Sequence, residues 1–391
     1  MEQSPKVTHC PVSPPRAFAP CDPAELAPLL QRLSDAAPID TCITFPRGTL
    51  LEDGRLDLCK QAIGPAGAIA VATALRGNLQ VRALLLGADG IGDAGATAVA
   101  GLLKDGSNLH TAYLGCNGIG PAGVEALVRA VKDGAPLTGL WLKRNPIGDE
   151  GAIAIAELLS TNQTLRTIDL VNIEIGEAGL RALCDVLARR NRTVKRLYLG
   201  GNGIGPGAAE YLADLMRNNL TITALLLSAN RLGDDGATVI AEALRENRSL
   251  EILALAANGI GPEGGRAILD AVAGHPSLRK LDLGHARSAV AVGASENRLG
   301  DATADAVSDM LRSNTSLIEL DLQRNGLTAA GVETIADALE SNHTLRRLTV
   351  AVPMPPALVE RLRHVFNRNR AATPEPSVDA DVLAIRSVYR A

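Results

Sequence analysis

Aromatic side chains are scarce in this 391-residue chain: they make up 2%, as one tryptophan, four tyrosines and three phenylalanines. That argues against a β-sandwich or barrel built on large side chains. Lysine is scarce too, only seven of the 39 basic residues, and the net charge of -4 supplies no basic field for phosphate neutralisation. Nucleic acid is therefore not an expected partner. No stretch reaches the roughly 18 uncharged apolar residues of a membrane span, and the first twenty residues hold no apolar signal core. No membrane association is expected, and the expected location is cytoplasmic, with export as an effector lacking a classical signal peptide left open. The six cysteines, at 10, 21, 42, 59, 116 and 184, form no C-x-x-C pair, which speaks against a zinc framework or a disulfide scaffold. What the chain does have is 38 glycines, abundant alanine and 46% hydrophobic residues, enough for a sizeable core of closely packed small side chains.

That composition is organised as a repeat. Units of about 28 residues start at Val81, Leu109, Leu137, Leu165, Val194, Ile222, Leu250, Leu278, Leu317 and Leu345, and a degenerate unit near Asp53 makes eleven. Each reads L-x-x-L-x-L-x-x-N-x-I-G-x-x-G-A and then an alanine-rich stretch, which predicts one short strand and one helix. Alternating residues such as Leu140 and Leu142 face the core, and those between them are free to bind. Asn117, Asn145, Asn202, Asn230, Asn258, Asn297 and Asn325 stand at the turn, where a buried amide can satisfy a neighbouring loop. At the helix entries, Pro65, Pro121, Pro206 and Pro262 alternate with acids such as Asp93, Asp149, Glu177, Asp234 and Asp301, which suit the positive end of the helix dipole. Asn162, Asn219, Asn247, Asn314 and Asn342, or Gly106 and Gly134, stand at the exits, as residues that tolerate a left-handed C-terminal conformation.

Two familiar motifs are by-products of this pattern. G-x-G-x-x-G occurs at Gly90, Gly118 and Gly259, but a dinucleotide site needs it once, whereas a repeated turn needs it everywhere. N-x-[ST] recurs at Asn162, Asn191, Asn219, Asn247, Asn314 and Asn342, always at the helix exit, so glycosylation does not explain it. No phosphate-binding G-x-x-x-x-G-K-[ST] loop is present. The six histidines are scattered, and His110 and Cys116 share a repeat without a spacing that favours proton transfer. No catalytic set, metal cluster or cofactor is expected.

Over roughly residues 53 to 350 the pattern resembles the ribonuclease-inhibitor-like subfamily of leucine-rich repeats. The runs Gly-Ala-Ile-Ala-Ile-Ala at 151–156 and Gly-Ala-Thr-Ala-Val-Ala at 95–100 are similar to bacterial GALA-type variants. The resemblance implies an α/β, right-handed solenoid or horseshoe of about eleven repeats, with a parallel β-sheet on the concave face and α-helices on the convex face. It implies a non-enzymatic scaffold that binds a protein partner. A GTPase-activating regulator resembling the Ran activator is one alternative, and an effector-type adaptor for ubiquitination is another. The chain lacks the dense cysteines of ribonuclease inhibitors, the acidic tail of the Ran activator and the full length of an F-box before its repeats.

Six prolines within residues 1–23 predict a disordered tail. Residues 24–52 are expected to cap the first repeat, with a helix starting at Asp22 and carrying Leu26, Leu29, Leu30 and Leu33 on one face. Residues 351–391 are expected to form a C-terminal cap and tail, with helices near Leu358–Phe366 and Ser377–Tyr389. Two repeats break register: one has Ile173 where asparagine is expected, and the unit from Leu278 carries an 11-residue insertion within 284–296, read as a tolerated surface loop.

The outward strand position reads Asp57, Leu85, Tyr113, Trp141, Asp169, Tyr198, Leu226, Ala254, Asp282, Asp321 and Thr349, and so collects the sole tryptophan and two of the four tyrosines. Exposed aromatics beside basic residues are the make-up of a protein-binding surface. The candidate partner-binding residues are Leu85, Tyr113, Trp141, Lys143, Arg144, Arg166, Asp169, Arg196, Tyr198 and Leu226. The chain is expected to be monomeric.

Overall fold

The computed structural model describes residues 19–132, 134–371 and 380–385. Of the proline-rich stretch 1–23 expected to be disordered, residues 1–18 lie outside them, whereas its end is fixed: Cys21 N donates to Ala62 O and Asp22 caps a helix that starts at Pro23. The described residues form two units, one of residues 19–194 with 380–385 and one of residues 195–371.

The N-terminal unit opens with helix α1 (Pro23–Ser34) and a hairpin of β1 (Ile43–Thr44) and β2 (Thr49–Leu50), which pairs antiparallel with β3 (Arg55–Asp57). Strand and helix then alternate: α2 (Gly64–Ala74), β4 (Ala83–Leu85), α3 (Gly92–Lys104), β5 (Thr111–Tyr113), α4 (Pro121–Lys132), β6 (Gly139–Trp141), α5 (Gly148–Leu159), β7 (Thr167–Asp169) and α6 (Glu177–Arg189). The C-terminal unit continues with β8 (Arg196–Tyr198), α7 (Pro206–Asn218), β9 (Ala224–Leu226), α8 (Gly233–Glu246), β10 (Ile252–Ala254), α9 (Pro262–Ala273), β11 (Lys280–Asp282), α10 (Ala304–Ser313), β12 (Glu319–Asp321), α11 (Ala329–Leu339), β13 (Arg347–Thr349) and α12 (Pro356–Ala371). A short helix α13 (Ala380–Ala384) returns to the N-terminal unit. Within each unit the repeat strands pair parallel and in register, Tyr113 beside Trp141 and Leu226 beside Ala254. This is the α/β leucine-rich-repeat solenoid that the resemblance implies.

Each repeat needs one sharp turn after its strand. The residue before the turn asparagine has a left-handed backbone at Cys116, Arg144, Ala229, Ala257 and Arg324, as has Ala88 before Asp89. A second left-handed position falls on Gly92, Gly148 and Gly233 at helix entries, where glycine adopts it without strain. The third glycine of the motif serves packing: a Cβ on Gly95 would stand 2.5 Å from Ile91 Cβ and 3.1 Å from Ala68 Cβ of the preceding helix. The repeated glycines are thus consumed by the turn and by helix contact.

Two asparagine ladders stitch the repeats together. At the strand exit, Asn145 donates to the carbonyls of Leu114 and Leu142 and accepts from the amides of Asn117 and Ile119, while only 1% exposed. At the helix exit, Asn219, Asn247 and Asn314 have extended backbones, unlike the left-handed conformation the sequence suggests. Their side chains do the work instead. Asn247 donates to Met216 O of the preceding repeat and accepts from the amides of Ser249 and Leu250. Gly106 and Gly134 do take the left-handed form.

The helix-entry acids also act across repeats. Asp93 Oδ1 accepts from the amides of Gly120 and Gly123, Asp149 from Gly176 and Gly179, and Asp234 from Gly261 and Gly264. Each carboxylate therefore caps the next helix rather than its own.

The ends close differently. Helix α1 runs through Pro28 and buries Leu26, Leu29 and Leu33, while its Glu25 pairs with Arg47 at 2.8 Å. Helix α12 anchors to the last repeat through Arg368, which donates to Glu340 O, and Asn369, which donates to Leu345 O. The insertion is ordered: Ala289 is buried with Ala229 and Ala257 of the two preceding loops, and His285 Nδ1 lies 2.6 Å from Glu296 Oε1.

Candidate binding face

The outward column of the N-terminal unit is built on glycine. A Cβ on Gly139 would lie 2.2 Å from the Trp141 ring, so the indole lies flat along β6 over the space that residue leaves empty. A Cβ on Gly87 would lie 2.4 Å from the Tyr113 ring. Lys143 Nζ stands 5.4 Å from the centre of the Tyr113 ring, a cation–π distance. Leu85, Tyr113 and Trp141 follow one another on paired strands.

The sequence leads one to expect these aromatics exposed, and the structure differs. Trp141 is 0% and Tyr113 3% exposed, in one cluster with Ala83, Leu85 and Ile385, against which Cys59 and Ala384 pack. Their cover is the segment 380–385, which the sequence assigns to closing the last repeat. The reason is the hydrophobic driving force: large apolar surface sits here, while α12 packs against α11 at the last repeat. The indole Nε1 is buried without a hydrogen-bond partner. Beside α13 a cavity of about 420 Å³ is lined by Asp53, Arg55, Arg82, His110, Thr111 and Thr138, with Ala380, Leu383 and Ala384 on its other wall.

Asp169 is buried beside β6, and burial pushes its carboxyl up to about 6 against the pull of Lys143 and Arg144. Its Oδ1 accepts from Val171 N, as Asp57, Asp282 and Asp321 accept from the amide two residues on. These aspartates close the strand ends. Lys143 and Arg144 are half-buried and Arg166 is exposed. The other three candidates lie on the C-terminal unit, where Arg196, Tyr198 and Leu226 are each half-buried on that unit's own strands.

The sequence reading passed over two residues. Asp89 holds the asparagine position of the strand-exit ladder, 0% exposed, with Oδ1 accepting from Gln61 N and Oδ2 without a partner. Burial pushes its carboxyl up to about 8. His275 holds the helix-exit position between Asn247 and Asn314, and its Nδ1 accepts from Leu278 N. Burial and Arg248 lower it to about 4. Both could have been found by aligning the repeats column by column. Among the described residues no group of three metal-ligating side chains converges, and no helix is long and apolar enough to cross a membrane.

Comparison with known proteins agrees on the repeats. The leucine-rich-repeat family model matches residues 108–128, 136–156, 190–213, 218–241, 246–269 and 313–336. No curated protein matches the sequence. Among solved structures, the Rad7–Elc1 complex of yeast is similar with a TM-score of 0.53 and 18% identity, over 84% of this chain and 76% of that one. The actin-binding site 2 of leiomodin-1 covers 48% of this chain and 87% of its own at a TM-score of 0.33 and 16% identity. The tropomodulin C-terminal domain of Caenorhabditis elegans covers 49% and 93% at 0.34 and 14%. The chain carries leucine-rich repeats, and repeats of this type mark a protein-interaction module.

Proposed function

We propose that this chain, built from leucine-rich repeats, is a non-enzymatic scaffold that binds a protein partner through the outward face of β4–β7. The observation that carries this reading is the apolar cluster Leu85–Tyr113–Trp141, which stands on the face a repeat strand turns away from its own core and already holds a peptide segment against it. Lys143, Arg144 and Arg166 give it a basic rim, the arrangement of an aromatic anchor with a polar edge. Arg196, Tyr198 and Leu226 offer a smaller contact on their own unit.

Affinity capture with the wild-type chain and a Tyr113→Ala, Trp141→Ala, Tyr198→Ala variant, checked by circular dichroism to be folded, tests the proposal. Proteins lost with the variant support the face; an unchanged set sinks it. A captured small GTPase whose hydrolysis accelerates would make the chain an activator rather than a scaffold. A captured Skp-type adaptor would place it in ubiquitination.

A further inference from the structure

We infer that residues 380–385 are a built-in ligand of the β4–β6 part of that face, and that the partner is a protein presenting a short amphipathic helix that displaces them. The inference deepens the proposed binding reading and rests on it. Three observations converge. First, the floor is shaped by the strands themselves: Trp141 lies over Gly139 and Tyr113 leans over Gly87, so the seat is specified by neighbouring glycines and not by its occupant. Second, the occupant is a helix of five residues that contributes Ile385 and part of Ala384 to the cluster, while Leu383 stays 42% exposed. Two apolar side chains set against the ordering of six residues make a contact that a better ligand can replace.

Third, the fit is incomplete. The cavity of about 420 Å³ beside α13 is walled on the tail's side by two alanines and the edge of Leu383. Trp141 Nε1 remains a buried donor without an acceptor, and a buried unmet donor is costly. A partner helix with an apolar pair at the positions of Ala384 and Ile385, and a longer acceptor side chain at that of Ala380, would fill the cavity. A carboxylate in the cavity would face Arg82 and His110, whereas Arg55 is already paired with Asp53 at 2.7 Å.

Trp141 is the only tryptophan, so its emission reads the site directly in the full-length chain. The wild type should emit as a buried indole poorly quenched by acrylamide. Ile385→Asp should shift emission to the red and raise quenching severalfold with far-UV circular dichroism almost unchanged; if that variant misfolds, Ala384→Asp repeats the test. A synthetic peptide of residues 377–391 should reverse the shift, the same peptide with Ile385→Asp should not, and one with Ala380→Glu should bind severalfold more tightly. Ile385→Asp should also capture severalfold more partner than the wild type. Unchanged emission in the folded variants, or a shift that the peptide fails to reverse, overturns the built-in ligand. Capture abolished by Trp141→Ala but not raised by Ile385→Asp overturns it too, while leaving the binding face standing.

Discussion

The two units are made from one repeat and differ in what they turn outward. In the N-terminal unit the outward column runs Asp57, Leu85, Tyr113, Trp141 and Asp169, and its apolar middle is buried under Ile385. In the C-terminal unit it runs Tyr198, Leu226, Ala254, Asp282, Asp321 and Thr349, mostly half-buried, with Lys280 paired to Glu319 at 3.2 Å on neighbouring strands. The inward positions show no such contrast: Leu84, Ala112, Leu140 and Ile168 in one unit and Leu197, Leu225, Leu253 and Leu281 in the other are 0–2% exposed. The repeat constrains what faces the core and leaves the outer column free to specialise, which is why binding character is confined to a few positions of an otherwise uniform chain.

The units also differ in how each breaks its ladder. The N-terminal unit has an acid, Asp89, in place of a strand-exit asparagine, and the C-terminal unit has a base, His275, in place of a helix-exit one. The largest expected effect comes from an intact rung. Asn145→Ala removes four buried hydrogen bonds and should cost about 4 kcal/mol, while Asn202→Ala, half-buried where water can substitute, should cost about half as much. Urea unfolding compares them, and equal losses would remove burial as the reason.

Asp89→Asn should come next. The folded carboxyl titrates at about 8 against an ordinary 3.8, so between those limits the folded state holds a proton that the unfolded chain has released. Stability from this site is full below pH 4 and is lost as pH rises to 8. Asparagine supplies the missing donor at every pH, so the variant should gain on the order of 2 kcal/mol at pH 9 and little at pH 4. Trp141 emission during denaturation reports this unit, and a gain that does not depend on pH would refute the titration.

His275→Asn carries the opposite sign. The imidazole is held at about 4 against 6.5, so its contribution is full above pH 6.5 and is lost as pH falls through 4. Asparagine keeps the acceptor for Leu278 N, and the variant should resist acid unfolding better with little change at pH 8. Hydrogen exchange at the Leu278 amide across pH 4–7 measures it. The smallest effect is expected of Lys280→Ala: its pair with Glu319 is largely solvated, and the loss should stay below about 0.5 kcal/mol with Trp141 emission unmoved.

Much of this was legible in the residues. The period, the strand and helix of each unit, the inward leucines and the structural use of glycine all follow from spacing, because each obeys a local rule that repeats. Less visible was how side chains act between repeats. Asp93 and Asp149 look like caps of their own helices, yet they bond to glycine amides about 28 residues on. The helix-exit asparagines look like left-handed stops and are extended clamps. In both cases the residue type was right, and its partner lay in a neighbour that no single unit contains.

The candidate site divides the same way. The sequence alone put Leu85, Tyr113 and Trp141 in one column, since a parallel register with one residue per strand leaves them nowhere else to go. That Gly139 and Gly87 leave room for two rings emerges only in the structure. Only the tertiary structure decided that residues 380–385 lie on that column, because a contact separated by more than two hundred residues of chain depends on apolar area and on space left unfilled, neither of which has a period. Periodicity writes the scaffold into the sequence; occupancy of its outer face is settled by packing in three dimensions.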